Sequence, residues 1–145
     1  MFPPREAFTA YVVFVGADHR RPWRIFTRRG WRHVFVCIPV YYPEPSLTAE
    51  QYTMIIDPRT NCIQPDLVFV PVKKAAQYFL SEGATAVIKV RVDRRGLPPY
   101  MARGLQNCVS VVKAVLGVAA WYVWTPEHLA RWLIRNGGQI IEKET

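Results

Sequence analysis

No run of about 20 consecutive apolar residues occurs in this chain of 145, and the longest candidates are cut by lysine, arginine, glycine or proline, so no membrane-spanning helix is indicated. The opening Met1-Phe2-Pro3-Pro4-Arg5-Glu6 lacks the basic-then-apolar order of a secretion signal, and a soluble protein, intracellular or packaged, is expected. Cysteine is scarce. Cys37, Cys62 and Cys108 lie far apart with no CxxC pair, which leaves neither a zinc pattern nor a full disulfide framework, and an odd count suits reduced thiols. No GxGxxG or phosphate-loop pattern occurs, so nucleotide binding by those routes has no support. Long repeats and low-complexity tracts are absent as well, and nothing calls for a metal or a cofactor. Acidic residues are outnumbered, 11 against 19 basic, and the resulting net charge of +8 favours anionic partners by steering without naming one.

The chain is half apolar and about a fifth charged, which excludes general disorder. Its length suits one domain over 1–145 with a single core. Thr9-Ala10-Tyr11-Val12-Val13-Phe14-Val15 reads as a buried strand ended by Gly16-Ala17-Asp18. A basic hairpin is expected at about 16–33, where Arg20, Arg21, Arg24, Arg28, Arg29 and Arg32 occur among Trp23, Phe26 and Trp31 with no acid after Asp18. Such a mixture binds phosphates and stacks bases, or else places arginine tips in water while the aromatics cover a sheet face. No helix-turn-helix, finger or RNA-binding signature accompanies it.

Trp31 to Val40 reads as a central strand because both of its alternating faces are apolar, with His33 sharing a face with Trp31, Phe35 and Cys37. A histidine there needs polar partners, supplied either by a backbone carbonyl or by a site. Tyr41 to Leu47 is a proline-rich loop suited to the rim of a cleft. Tyr52 to Ile56 forms the next strand, and Asp57-Pro58-Arg59-Thr60-Asn61 supplies a turn in which Asp57 bonds the backbone or orients a neighbour. The run Cys62 to Val72 suggests a strand held to a sheet edge by Pro65 and Pro71. Lys73 to Ser81 reads as a short helix closed by Gly83, and Ala84 to Val92 as another strand. The expected fold class is α+β, an antiparallel sheet of about five or six strands packed against two helices.

Those two helices belong to a helical C-terminal part at about 105–138. Val111, Val112, Val115, Leu116 and Ala119 follow helical spacing behind Cys108, with Asn107 as N-cap, although the valines make a strand a competitor. Thr125 caps the last helix, Pro126 takes its first position, Leu129, Trp132 and Leu133 form the buried stripe, and Asn136-Gly137-Gly138 ends it.

A cysteine at a helix N-terminus sits where thiolate is favoured, and a free thiol near 8.5 needs such a terminus or an imidazolium if it is to react at neutral pH. Cys108 has the first, His33 could supply the second, and Asp57 could hold the far ring nitrogen. The Cys108 N–H with a donor such as Gln106 could then stabilise an oxyanion. In the order of these groups, a histidine on an early core strand, an acid at a later strand end, Asn107-Cys108 opening one helix and Thr125-Pro126-Glu127-His128-Leu129 opening another, the chain resembles the circularly permuted papain-like branch of the NlpC/P60 superfamily over roughly Trp31 to Gly138.

The resemblance implies a thiol hydrolase or peptidase acting on an amide, thioester or ester of a peptide or acyl substrate. Cys108 would be its nucleophile, His33 its base and Asp57 the orienting residue. A phage or viral source would make the location a virion rather than the cytoplasm. The alternative is a non-catalytic virion or binding component whose Arg20, Arg21, Arg24, Arg28 and Arg29 contact nucleic acid or an acidic protein. Cys37 and Cys62 read as structural, His128 as exposed, and His19 as part of the basic turn.

Overall fold

The β-branched and aromatic runs become strands of one sheet. A computed structural model describes residues 7–16, 31–40, 52–58, 63–93 and 107–144. In it β1 (Phe8–Val15), β2 (His33–Val40), β3 (Tyr52–Pro58), β4 (Ile63–Val68), β5 (Ala86–Val92) and β6 (Gln139–Ile140) lie in the order β4-β3-β2-β1-β5-β6. Every neighbouring pair is antiparallel. The helices are α1 (Val72–Ser81), α2 (Cys108–Leu116) and α3 (Pro126–Arg135). The basic stretch expected at about 16–33, with Arg20, Arg21, Arg24, Arg28 and Arg29, and also Gln106 and Cys62, lie outside the described residues.

Period-two alternation divides the core between the sheet's two faces. Tyr11 and Val13 of β1, with Phe35 and Cys37 of β2 and Val87 of β5, meet Val72 and Ala76 of α1. Ala10, Val12 and Phe14, with Val34, Val36, Ile38 and Ile88, meet Val109, Val112 and Val115 of α2 and Leu129, Ala130 and Leu133 of α3. The sheet is thus covered on both faces, whereas the sequence led us to expect cover from the two C-terminal helices. At roughly 1.5–3 kcal/mol for each fully buried Val, Leu, Ile or Phe, the α2 and α3 face holds the larger share of the hydrophobic stabilisation. β2 is buried along its whole length, as its two apolar faces require. β4 is exposed at nearly every position because it is the edge strand beyond the helices, and Pro65 is tolerated there.

Asp57 departs from its expected turn position. β3 continues through Pro58, so the carboxylate leaves a strand with the direction that a pleat imposes. Antiparallel pairing then brings chain ends together: β2 begins at His33 opposite Val15, and β3 ends at Pro58 opposite Ile63. The start of β2 and the end of β3 therefore share one end of the sheet.

Candidate active site

α2 forms because Asn107 stops the extended chain and opens the helix. Its backbone is extended (φ −130°, ψ 176°), and its side-chain Oδ1 accepts from the Ser110 N–H at 2.8 Å. Ser110 replies: its Oγ accepts from the Asn107 N–H at 2.9 Å and donates to the Asn107 carbonyl at 2.9 Å. Gly117, in the left-handed region at φ 75°, ends the helix, a conformation that glycine adopts without a Cβ penalty. Cys108 is consequently the first helical residue, and it is buried to 5% exposure among Val109, Val112 and Val34. The capping bonds occupy the N–H of Ser110. Neither the Cys108 N–H nor the Val109 N–H has a hydrogen-bond partner among the described residues.

His33 opens β2, and its Nε2–H donates to Asp57 Oδ1 at 2.6 Å. The register explains the reach. Val36 pairs with Ile56, which sets Asp57 beside Phe35, and His33 is the next residue on that same face. Such diagonal neighbours are about 7–8 Å apart at Cα, within range of an imidazole and a carboxylate. The His33 and Phe35 rings are 6.2 Å apart, and Phe35 in turn packs edge-on to Phe79 of α1, so the imidazole has an apolar wall on its α1 side. Its side chain is 9% exposed and that of Asp57 is 17% exposed.

The other ring nitrogen, Nδ1, is buried and no hydrogen bond of standard geometry closes on it. Burial is the largest single influence on the ring and disfavours its charged form. Against it act the Asp57 hydrogen bond, then hydrogen bonding and charge at Cys108, then the Asp57 charge, and together they push His33 up from 6.5 to about 9. The Cys108 contribution is that of a side chain lying close to the ring. At neutral pH the ring is an imidazolium, held at Nε2 by a carboxylate and close to Cys108.

The structure thus brings His33, Asp57 and Cys108 to one end of the sheet, where α2 starts. The remaining cysteine among the described residues, Cys37, is fully buried, and burial pushes its thiol up to about 12, which leaves it inert. His128 lies in the first turn of α3, with its N–H on the Thr125 cap. Sequence reasoning missed two parts of the site. Ser110 carries a readable signal, an Asn followed three residues later by a side chain that returns the bond. The Val109 N–H has no residue signal, because any side chain would serve there.

No group of three or more His, Cys, Asp or Glu that could hold a metal occurs among the described residues, and no helix there is long and apolar enough to cross a membrane. In comparisons with protein-family models, curated proteins and solved structures, nothing matches the chain.

Proposed function

We propose that the chain is a cysteine-dependent hydrolase of acyl compounds, with Cys108 as nucleophile, His33 as acid and base, and Asp57 as the residue that orients His33. The observation that carries this reading is one buried imidazole between two groups: Nε2 is closed on Asp57 at 2.6 Å, Nδ1 is buried without a bond, and Cys108, which opens α2, lies close enough to act on the ring. A core histidine kept for packing has no need of a carboxylate on one nitrogen and an open second nitrogen next to a cysteine.

Chemically, His33 stands as the imidazolium, so the Cys108 proton leaves to solvent and the thiolate, paired with that ring, attacks the carbonyl carbon of an amide, thioester or ester. The resulting oxyanion is met by the N–H groups of Cys108 and Val109, which have no partner among the described residues, with the positive end of α2 behind them. The His33 imidazolium then gives its proton to the leaving amine, thiol or alcohol, which departs and leaves an acyl-thioester on Cys108 and a neutral ring. Water, deprotonated by the neutral ring, attacks that thioester, releases a carboxylic acid and restores the thiolate beside the imidazolium. Asp57 keeps the ring from rotating and favours its charged form throughout. The order of these groups along the chain supports the permuted papain-like version of the fold, and the α+β class is compatible with it.

The test is the rate of iodoacetamide labelling at each cysteine against pH, read by mass spectrometry for the native chain and for His33→Ala. Fast labelling at Cys108 below pH 7 that is lost in the variant supports the reading, and slow labelling indifferent to His33 removes it. The second reading, a non-catalytic protein that contacts nucleic acid or an acidic partner, draws on the net charge of +8 and the arginines between residues 20 and 32. DNA or RNA binding that weakens steeply with salt would favour it, and no binding at low salt would dismiss its nucleic-acid form.

A further inference from the structure

We propose that Ser110 is a positioning residue for the thiol: its exchange of hydrogen bonds with Asn107 sets the peptide plane that enters Cys108 and so aims both the sulfur and the Cys108 N–H. The proposal rests on the catalytic reading of Cys108 for its purpose, though not for its geometry.

Three atoms of Asn107 are tied down. Its N–H donates to Ser110 Oγ, its Oδ1 accepts from the Ser110 N–H, and its carbonyl oxygen accepts from Ser110 Oγ at 2.9 Å and from the Val111 N–H at 3.2 Å. That carbonyl shares one planar trans peptide with the Cys108 N–H. Anchoring the oxygen into the first turn therefore points the Cys108 N–H the opposite way, out of the helix. The same plane places the Cα of Cys108, from which the helical φ of α2 directs Cβ, so a shift of the plane carries the thiol with it. Close to Cys108 lies the ring of His33, whose buried Nδ1 has no hydrogen bond and whose side chain is 9% exposed.

The other two helices are held more simply. α1 has no side-chain cap, and α3 has one bond, from the His128 N–H to Thr125 Oγ1 at 3.2 Å. If the Ser110 bonds served helix stability alone, a one-way cap like that of Thr125 would suffice. The reciprocal closure falls on the helix whose first residue is the cysteine.

The experiment follows the His33 ring by NMR against pH in the native chain, Ser110→Ala, Ser110→Thr and Thr125→Ala, with iodoacetamide labelling of Cys108 on the same samples. Loss of the hydroxyl is expected to release the thiol from the ring. His33 should then titrate lower in Ser110→Ala, and labelling below pH 7 should fall by about tenfold, the factor of one pKa unit. Ser110→Thr, which keeps a hydroxyl, should restore both. Thr125→Ala removes a cap from a helix without the cysteine, so it should lower stability and move neither readout. An unchanged His33 titration in Ser110→Ala, or an equal change in Thr125→Ala, overturns the proposal. Slow native labelling with the His33 shift still dependent on Ser110 would instead remove the catalytic reading and leave the positioning intact.

Discussion

Asp57 on β3 takes the Nε2–H of His33 on β2 at 2.6 Å, and the two lie diagonally across the β2–β3 pairing. Each is supplied by an interior strand of the sheet, so their relative position is set by ladder hydrogen bonds rather than by a loop. A carboxylate in this position holds the ring's orientation and favours its protonated form at once.

Replacing Asp57 tests both roles. Asp57→Asn keeps an acceptor and removes the charge, so His33 should titrate lower by about 1–3 units. Cys108 labelling below pH 7 should slow with it. Asp57→Ala leaves a buried imidazolium unpaired and is expected to cost about 3 kcal/mol in urea unfolding, near the lower end for breaking a buried pair because the carboxylate is partly open to water. An Asn variant with an unshifted His33 would rule out the electrostatic role.

Stability should carry the signature of His33. Its pKa is raised on folding, from 6.5 to about 9. The folded state therefore holds the proton more tightly, and the added stability is full below pH 6.5 and is lost as pH rises through 9. Unfolding free energy should fall across that window by up to about 1.4 kcal/mol per pH unit. His33→Ala should flatten the slope, and an equal slope in the variant would assign it to other groups.

The two buried cysteines should separate cleanly. Cys37 faces α1 with its thiol pushed up to about 12, so it should resist alkylation until the chain unfolds. Cys37→Ala removes one buried atom, is expected to cost about 1 kcal/mol, and should leave Cys108 labelling unchanged. Cys108→Ala should abolish hydrolysis of activated esters while the protein stays folded. Native Cys37 labelling as fast as that of Cys108 would contradict this assignment.

Lys113 holds the connection after α2. Its Nζ donates to the carbonyls of Ala120 at 2.6 Å and Val123 at 3.2 Å, and burial lowers its pKa. Lys113→Met keeps the stem and leaves two carbonyls without their donor, for an expected loss of about 1–3 kcal/mol. Trp121, Tyr122 and Trp124 project into solvent from this segment. Amide exchange over 118–124 should quicken in the variant while β1 and β2 remain protected, and unchanged exchange would show that the clamp is unimportant.

Much of the architecture was legible because it rests on local chemistry. β-branched runs, Asn107 before an apolar helical stripe, and Thr125-Pro126 with Gly137 beyond the last turn each state an element and its boundary in a few residues. β6 was not legible: two residues carry no periodic signal, and Gln139 and Ile140 are a strand because β5 offers them an edge. The cover of the second face by α1 also escaped, since a short amphipathic helix fits either side of a sheet until topology selects one.

The residue types of the candidate site were determined by the sequence alone: a cysteine behind a helix cap, a histidine on an apolar strand, and an acid at a strand end. Only the tertiary structure decided their meeting. His33 and Asp57 are 24 residues apart in the chain, and Cys108 lies far beyond both. Bringing them together depends on the antiparallel register of β2 with β3 and on α2 starting at the end of the sheet where β2 begins. Register is a property of two strands and a helix's placement is a property of a whole core, so neither is written in any single stretch of chain.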